Sequence, residues 1–113
     1  MFAYMEHSTL MARRVPGPLP SSREAIASRL LLTRKALGYS QEFMGNLIGV
    51  GQTAWANYEQ GTRRIDIDPA LRLCAATGID MSWIYQGNIA GVRSDVYFRY
   101  TRTKSLGAWP PTL

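Results

Sequence analysis

Two side chains that dominate catalytic and metal-binding chemistry are almost missing from this sequence. Its 113 residues contain one cysteine, Cys74, and one histidine, His7. A lone thiol excludes an internal disulfide, and one Cys with one His falls short of the four ligands of a structural zinc site. No phosphate-binding loop or activated-nucleophile motif is present, so an enzymatic reading has no support and no cofactor is called for. Charged residues make up only 19% of the chain. No apolar run approaches the roughly 18 residues needed to span a bilayer. Residues 1–14 lack the basic-then-apolar order of a secretion signal. A reducing cytoplasm is the compartment these absences lead us to expect.

What is present suits a small folded domain. Apolar residues make up 46%, and a chain of this length can bury one self-sufficient core. The balance is basic, with a formal charge of +5 and a pI of about 9.8, which favours a polyanionic partner. That charge is unevenly spread. Residues 1–20 hold Arg13 and Arg14 against Glu6, a net +1; residues 21–88 carry seven basic and six acidic side chains, again +1. Residues 89–113 hold Arg93, Arg99, Arg102 and Lys104 against Asp95, a net +3.

Composition divides the chain at the same points. Pro16, Pro18 and Pro20 forbid a helix interior, so residues 1–20 read as a flexible, non-helical arm. Residues 21–88 carry helical periodicity throughout. Residues 89–113 lose it and read as a basic, aromatic tail. Within the middle, Ser21 and Glu24 are spaced as a capping box for a first helix that starts at Ser21 or Ser22. Its inward stripe is Ile26, Leu30 and Leu37, and Gly38 ends it. Ser40 caps a second helix, Gln41 to Ile48. A third runs from Gly51 or Gln52 to about Tyr58. Asp66 caps a fourth, with Ile67, Ala70, Leu71 and Cys74 at i, i+3, i+4 and i+7 as its expected inward face. Asp80 caps a short fifth, with Trp83 and Ile84 turned inward.

The segment Gln41 to Tyr58 is the informative one. Two helices joined at a steep angle by a tight turn need a small residue at the crossing, and Gly45 supplies it. They need a turn residue that tolerates positive φ, and Gly49 supplies that. They also need apolar side chains facing the bundle: Met44, Ile48, Val50, Trp55 and Tyr58. All three needs are met within eighteen residues.

With those residues in view, the sequence resembles the Cro-like, phage-repressor-like helix-turn-helix domains, also called the xenobiotic-response-element family. The resemblance runs from about Arg29 to Asn88. Its markers are Thr33-Arg34-Lys35-Ala36-Leu37-Gly38-Tyr39-Ser40-Gln41, Tyr58-Glu59-Gln60-Gly61 and the stretch from Gly78 to Gly87. It implies an all-α fold: a five-helix lambda-repressor-like DNA-binding bundle, here with a non-helical arm before it and a tail behind. It implies a regulator of transcription, most simply a repressor on double-stranded operator DNA. By position, Gln41 matches a phosphate-contacting residue at the start of helix two. Gln52, Thr53 and Asn57 match the base-reading face of helix three, and Arg63 and Arg64 match backbone-contacting positions in the loop beyond it. Arg34 and Glu59 match a structural salt bridge. Dimers on two half-sites are common in such families, although no coiled-coil seam supplies a dimer contact here.

The sequence also departs from the family pattern. Gly51 stands where Ser or Thr usually caps helix three, and Trp55 is large for a position that usually holds a medium aliphatic residue. Phe43 and Leu47 occupy positions where polar residues are common. They either pack beneath the arm or tail, or meet a protein partner, as in the antitoxin of a toxin–antitoxin pair. The aromatic stretch Val96 to Tyr100 motivates the same alternative. Plain structural roles explain the rest. Asp66 and Asp68 suit a helix N-terminus, Trp55, Tyr58 and Trp83 suit the core, and Cys74 suits an apolar helix face.

Overall fold

The structure is a computed structural model, and it describes residues 14, 17 and 19–92. The sequence-based expectations for the rest of the arm, and for the tail from residue 93 onward, lie outside the described residues. Among the described residues there are five α-helices and no strand: α1 (Arg23–Leu37), α2 (Gln41–Leu47), α3 (Gly51–Gln60), α4 (Ile67–Thr77) and α5 (Met81–Gln86). A 3-10 turn, Ile89–Gly91, follows.

Helix α1 begins at Arg23 because Ser22, not Ser21, is its cap; the Ser22 hydroxyl accepts the Ala25 amide at 3.2 Å. It packs against both α3 and α5, so five consecutive residues, Leu30 to Arg34, are buried. The two polar members are satisfied: Thr33 Oγ1 donates to the Arg29 carbonyl at 2.7 Å and accepts the Trp83 indole N–H at 2.9 Å, and the Arg34 guanidinium is paired as described below. Arg29 ties α1 to α5, its Nη1 donating to the Ile84 carbonyl at 2.6 Å.

The core gathers Ile26, Leu30, Met44, Ile48, Trp55, Tyr58, Leu73, Ile79 and Ile84. Each such side chain withdrawn from water contributes about 1.5–3 kcal/mol before the entropy of ordering is subtracted. Trp55 and Tyr58 meet edge to face, with centroids 6.2 Å apart and planes at 80°, the arrangement that ring quadrupoles favour.

Helix α4 corrects the sequence reading. Ala70 is buried as expected, but Ile67 and Leu71 are 56% and 50% exposed and Cys74 is half-buried. The inward face is Ala70, Leu73 and Thr77, rotated from the expected stripe. The helix carries apolar residues around most of its girth, so two overlapping sets share helical spacing, and packing against α5 selects one. Asp66 precedes α4 but makes no side-chain capping bond. The third residue of the helix is Pro69, which has no N–H to offer it. Packing also continues past Asn88, where the Gly91 carbonyl accepts the Asp80 amide at 2.7 Å.

Candidate nucleic-acid interface

Helices α2 and α3 are held by a turn with little freedom. Ser40 caps α2, its hydroxyl accepting the Phe43 amide at 3.0 Å. Gly49 turns the chain at φ +76°, and the Val50 amide donates back to the Gly45 carbonyl at 2.9 Å. Gly45 lies so close to α3 that a Cβ there would fall inside the Gly51 carbonyl group. Gly51 itself sits at φ +85°. The serine or threonine usual at this position would be strained there, and Val50 before it makes no side-chain capping bond.

The two sides of α3 differ sharply. Trp55, Tyr58 and Glu59 are buried, while Gln52 and Thr53 are exposed and Asn57 is half-buried. Thr53 and Asn57 are one turn apart, and Gln52 stands beside them on the face away from the core. The Asn57 carbonyl receives the Thr62 amide at 3.2 Å, the Thr62 hydroxyl at 3.2 Å and the Arg63 amide at 3.4 Å. The loop after α3 is thereby folded onto its last turn, and Arg63 and Arg64 follow at once.

Both arginines are exposed and already engaged at one edge. Arg63 pairs with Asp66 at 2.9 Å, and its guanidinium carbon is 6.0 Å from the Tyr58 ring centroid. Burial, opposed by the Arg63 charge and aided by Asp66, raises the Tyr58 hydroxyl above its ordinary pKa. Arg64 Nη1 donates to the Ser21 carbonyl at 3.1 Å. A guanidinium carries five N–H donors, so each retains donors for an anion.

Arg34 and Glu59 meet directly, Nε to Oε2 at 2.5 Å and Nη2 to Oε1 at 3.0 Å. Two further donors reach the same carboxylate: Gln41 Nε2 at 3.0 Å and Trp55 Nε1 at 2.5 Å. Sequence reasoning missed both. The i, i+4 spacing of Trp55 and Glu59 carried a signal for the second; nothing local signalled the first.

Phe43 and Leu47 are 50% and 41% exposed on α2. Phe43 lies against the Tyr39 ring, centroids 4.7 Å apart. No helix among the described residues is long and apolar enough to cross a membrane.

Comparison with known proteins agrees with this architecture. Residues 30–84 match the protein-family model described as helix-turn-helix. No curated protein and no solved structure matches the chain. The matched span runs from within α1 to within α5 and encloses the whole α2–turn–α3 unit. Residues 30–84 are therefore a Cro-like helix-turn-helix domain, the DNA-binding unit of a regulator.

Proposed function

We propose that this protein is a sequence-specific repressor that binds operator DNA and blocks access to a promoter. The observation that carries this reading is the polar outer face of α3, rigidly backed by a buried aromatic face. Laid in the major groove, Gln52 and Asn57 can each bond an adenine edge bidentately, and the Thr53 methyl can meet a thymine methyl. Gln41, Arg63 and Arg64 contact phosphates and set the register without reading sequence. The activity is equilibrium occupancy, with no bond made or broken. As a cytoplasmic homodimer, the protein would span two half-sites about 34–36 Å apart, one turn of the duplex.

Selection of bound sequences from a random duplex pool tests the proposal. A defined motif, whose presence upstream of a reporter lowers transcription when the protein is added, is the expected result. A two-fold symmetric motif reports the dimer. Recovery of no motif above background overturns the proposal.

A second reading rests on Phe43 and Leu47, two large apolar side chains exposed on one face of α2. In it, the domain is the antitoxin of a toxin–antitoxin pair and this face meets the partner protein. Co-purification with a stoichiometric second protein, abolished by Phe43→Ser with Leu47→Ser, favours this reading over a lone regulator.

A further inference from the structure

The Glu59 carboxylate collects donors from three helices. Glu59 is 4% exposed. Its Oε2 accepts Arg34 Nε and Trp55 Nε1, both at 2.5 Å, and its Oε1 accepts Arg34 Nη2 and Gln41 Nε2, both at 3.0 Å. An ionised carboxylate offers about four lone-pair sites and no donor. All are occupied, so the carboxylate has no spare acceptor site.

We propose that Glu59 is a positioning residue for DNA binding, acting through Gln41. The inference rests on the phosphate contact proposed for Gln41 above. An acceptor-only partner decides which end of the Gln41 carboxamide faces inward, because only the NH2 group can bond to Glu59. That group has two N–H bonds, and one is spent on Oε1. Gln41 is half-buried at the first turn of α2, so the second N–H is held near the surface. Arg34 reinforces this from the backbone side: its Nη1 donates to the Tyr39 carbonyl at 2.8 Å, two residues before Gln41. Trp55 occupies the last lone pair of Oε2, which keeps the carboxylate from turning. An unanchored glutamine would lose side-chain freedom on binding a phosphate, or present its carbonyl oxygen to the anion. Anchoring it beforehand removes that cost.

Four full-length proteins test this: wild type, Gln41→Ala, Glu59→Gln and the double variant. Each is titrated with the selected operator and with an unrelated duplex. Gln41→Ala is expected to weaken both duplexes about tenfold, the scale of one charge-assisted hydrogen bond. Glu59→Gln should weaken wild type several-fold, yet the Gln41→Ala protein by less than twofold. An unchanged affinity for Gln41→Ala overturns the phosphate contact, and this inference with it. A normal Gln41→Ala loss, with Glu59→Gln equally costly in both backgrounds, overturns the positioning role alone. Should Glu59→Gln fail to fold, the Gln41 side-chain amide of the wild-type protein decides by NMR. One Nε2 proton should exchange slowly in the free protein, and the other should shift on adding DNA. Fast exchange of both protons overturns the inference.

Discussion

Arg34 and Glu59 clamp α1 to the last turn of α3, and both are almost wholly out of water, with side-chain exposures of 9% and 1%. The clamp fixes α3 against the longest helix of the bundle. Removing either partner strands the other charge in the interior, and such losses run to about 3–5 kcal/mol. Replacing both by apolar residues of similar volume should cost much less than the two single losses added. Denaturant melts of the two singles and the double measure this coupling; strictly additive losses would contradict it.

Gly45→Ala is expected to destabilise the domain and weaken DNA binding together. The new methyl group collides with the Gly51 backbone, which cannot swing aside as a long side chain can. The helices must separate, at about 1–3 kcal/mol by the usual cost of overpacking. Melting and operator affinity, measured on the same sample, should both fall.

Gln52→Ala and Asn57→Ala should relax base preference, each losing about 1–3 kcal/mol on the best site and less on unrelated DNA. Arg63→Ala and Arg64→Ala should weaken all sequences alike and reduce the salt slope, by about 0.9 for each phosphate no longer neutralised. Competition binding against a panel of single-base operator variants separates the two classes. Retention of full preference by both α3 variants would remove them from the reading face.

Alkaline pH should destabilise the fold. Burial, aided by Asp66 and opposed by Arg64, raises the Tyr85 hydroxyl above its ordinary value of 10.0. Burial, aided by Asp80, raises the Cys74 thiol above its ordinary 9.0. The folded state therefore holds these protons more tightly than the unfolded chain does. Their stabilising contribution is complete below about pH 9 and declines to nothing as pH rises through the folded pKa values. Tyr85 also donates to the Ile65 carbonyl at 2.6 Å, a bond that ionisation removes. Urea midpoints measured at neutral pH and at increasingly alkaline pH should fall, and Tyr85→Phe should shrink the fall while lowering the midpoint at neutral pH.

Truncation tests the basic tail, for which we propose sequence-independent contact with the phosphate backbone. The cut belongs after Val92, because Gly91 is packed on α5: a Cβ there would lie 2.6 Å from Ser82 Oγ. Loss of Arg93, Arg99, Arg102 and Lys104 should flatten the salt dependence, by up to about 3.6 units if all four engage phosphates. The preferred sequence should stay the same. An unchanged slope with a lower oligomeric state would instead make the tail a contact between protein chains.

Features that depend on local chemistry were legible in the order of residues alone. Ser40 marks where α2 starts and Gly38 where α1 stops, whereas the choice between Ser21 and Ser22 as the first cap was settled only by the folded backbone. Gly45 and Gly49, four residues apart, announce a tight helix crossing because no other residue type serves both positions. The burial of Trp55, Tyr58, Trp83 and Ile84 followed from helical period. Long-range packing was needed to choose which arc of α4 turns inward. Periodicity favours the more apolar arc of Ile67, Leu71 and Cys74, and the arc that is buried, Ala70, Leu73 and Thr77, is the less apolar one. The same packing brought Gln41 and Trp55 to Glu59. Glu59 lies eighteen residues from Gln41 in sequence, and they meet because the Gly45 crossing folds the start of α2 against the end of α3. A hydrogen bond between distant side chains is fixed by that geometry, and no residue carries it alone.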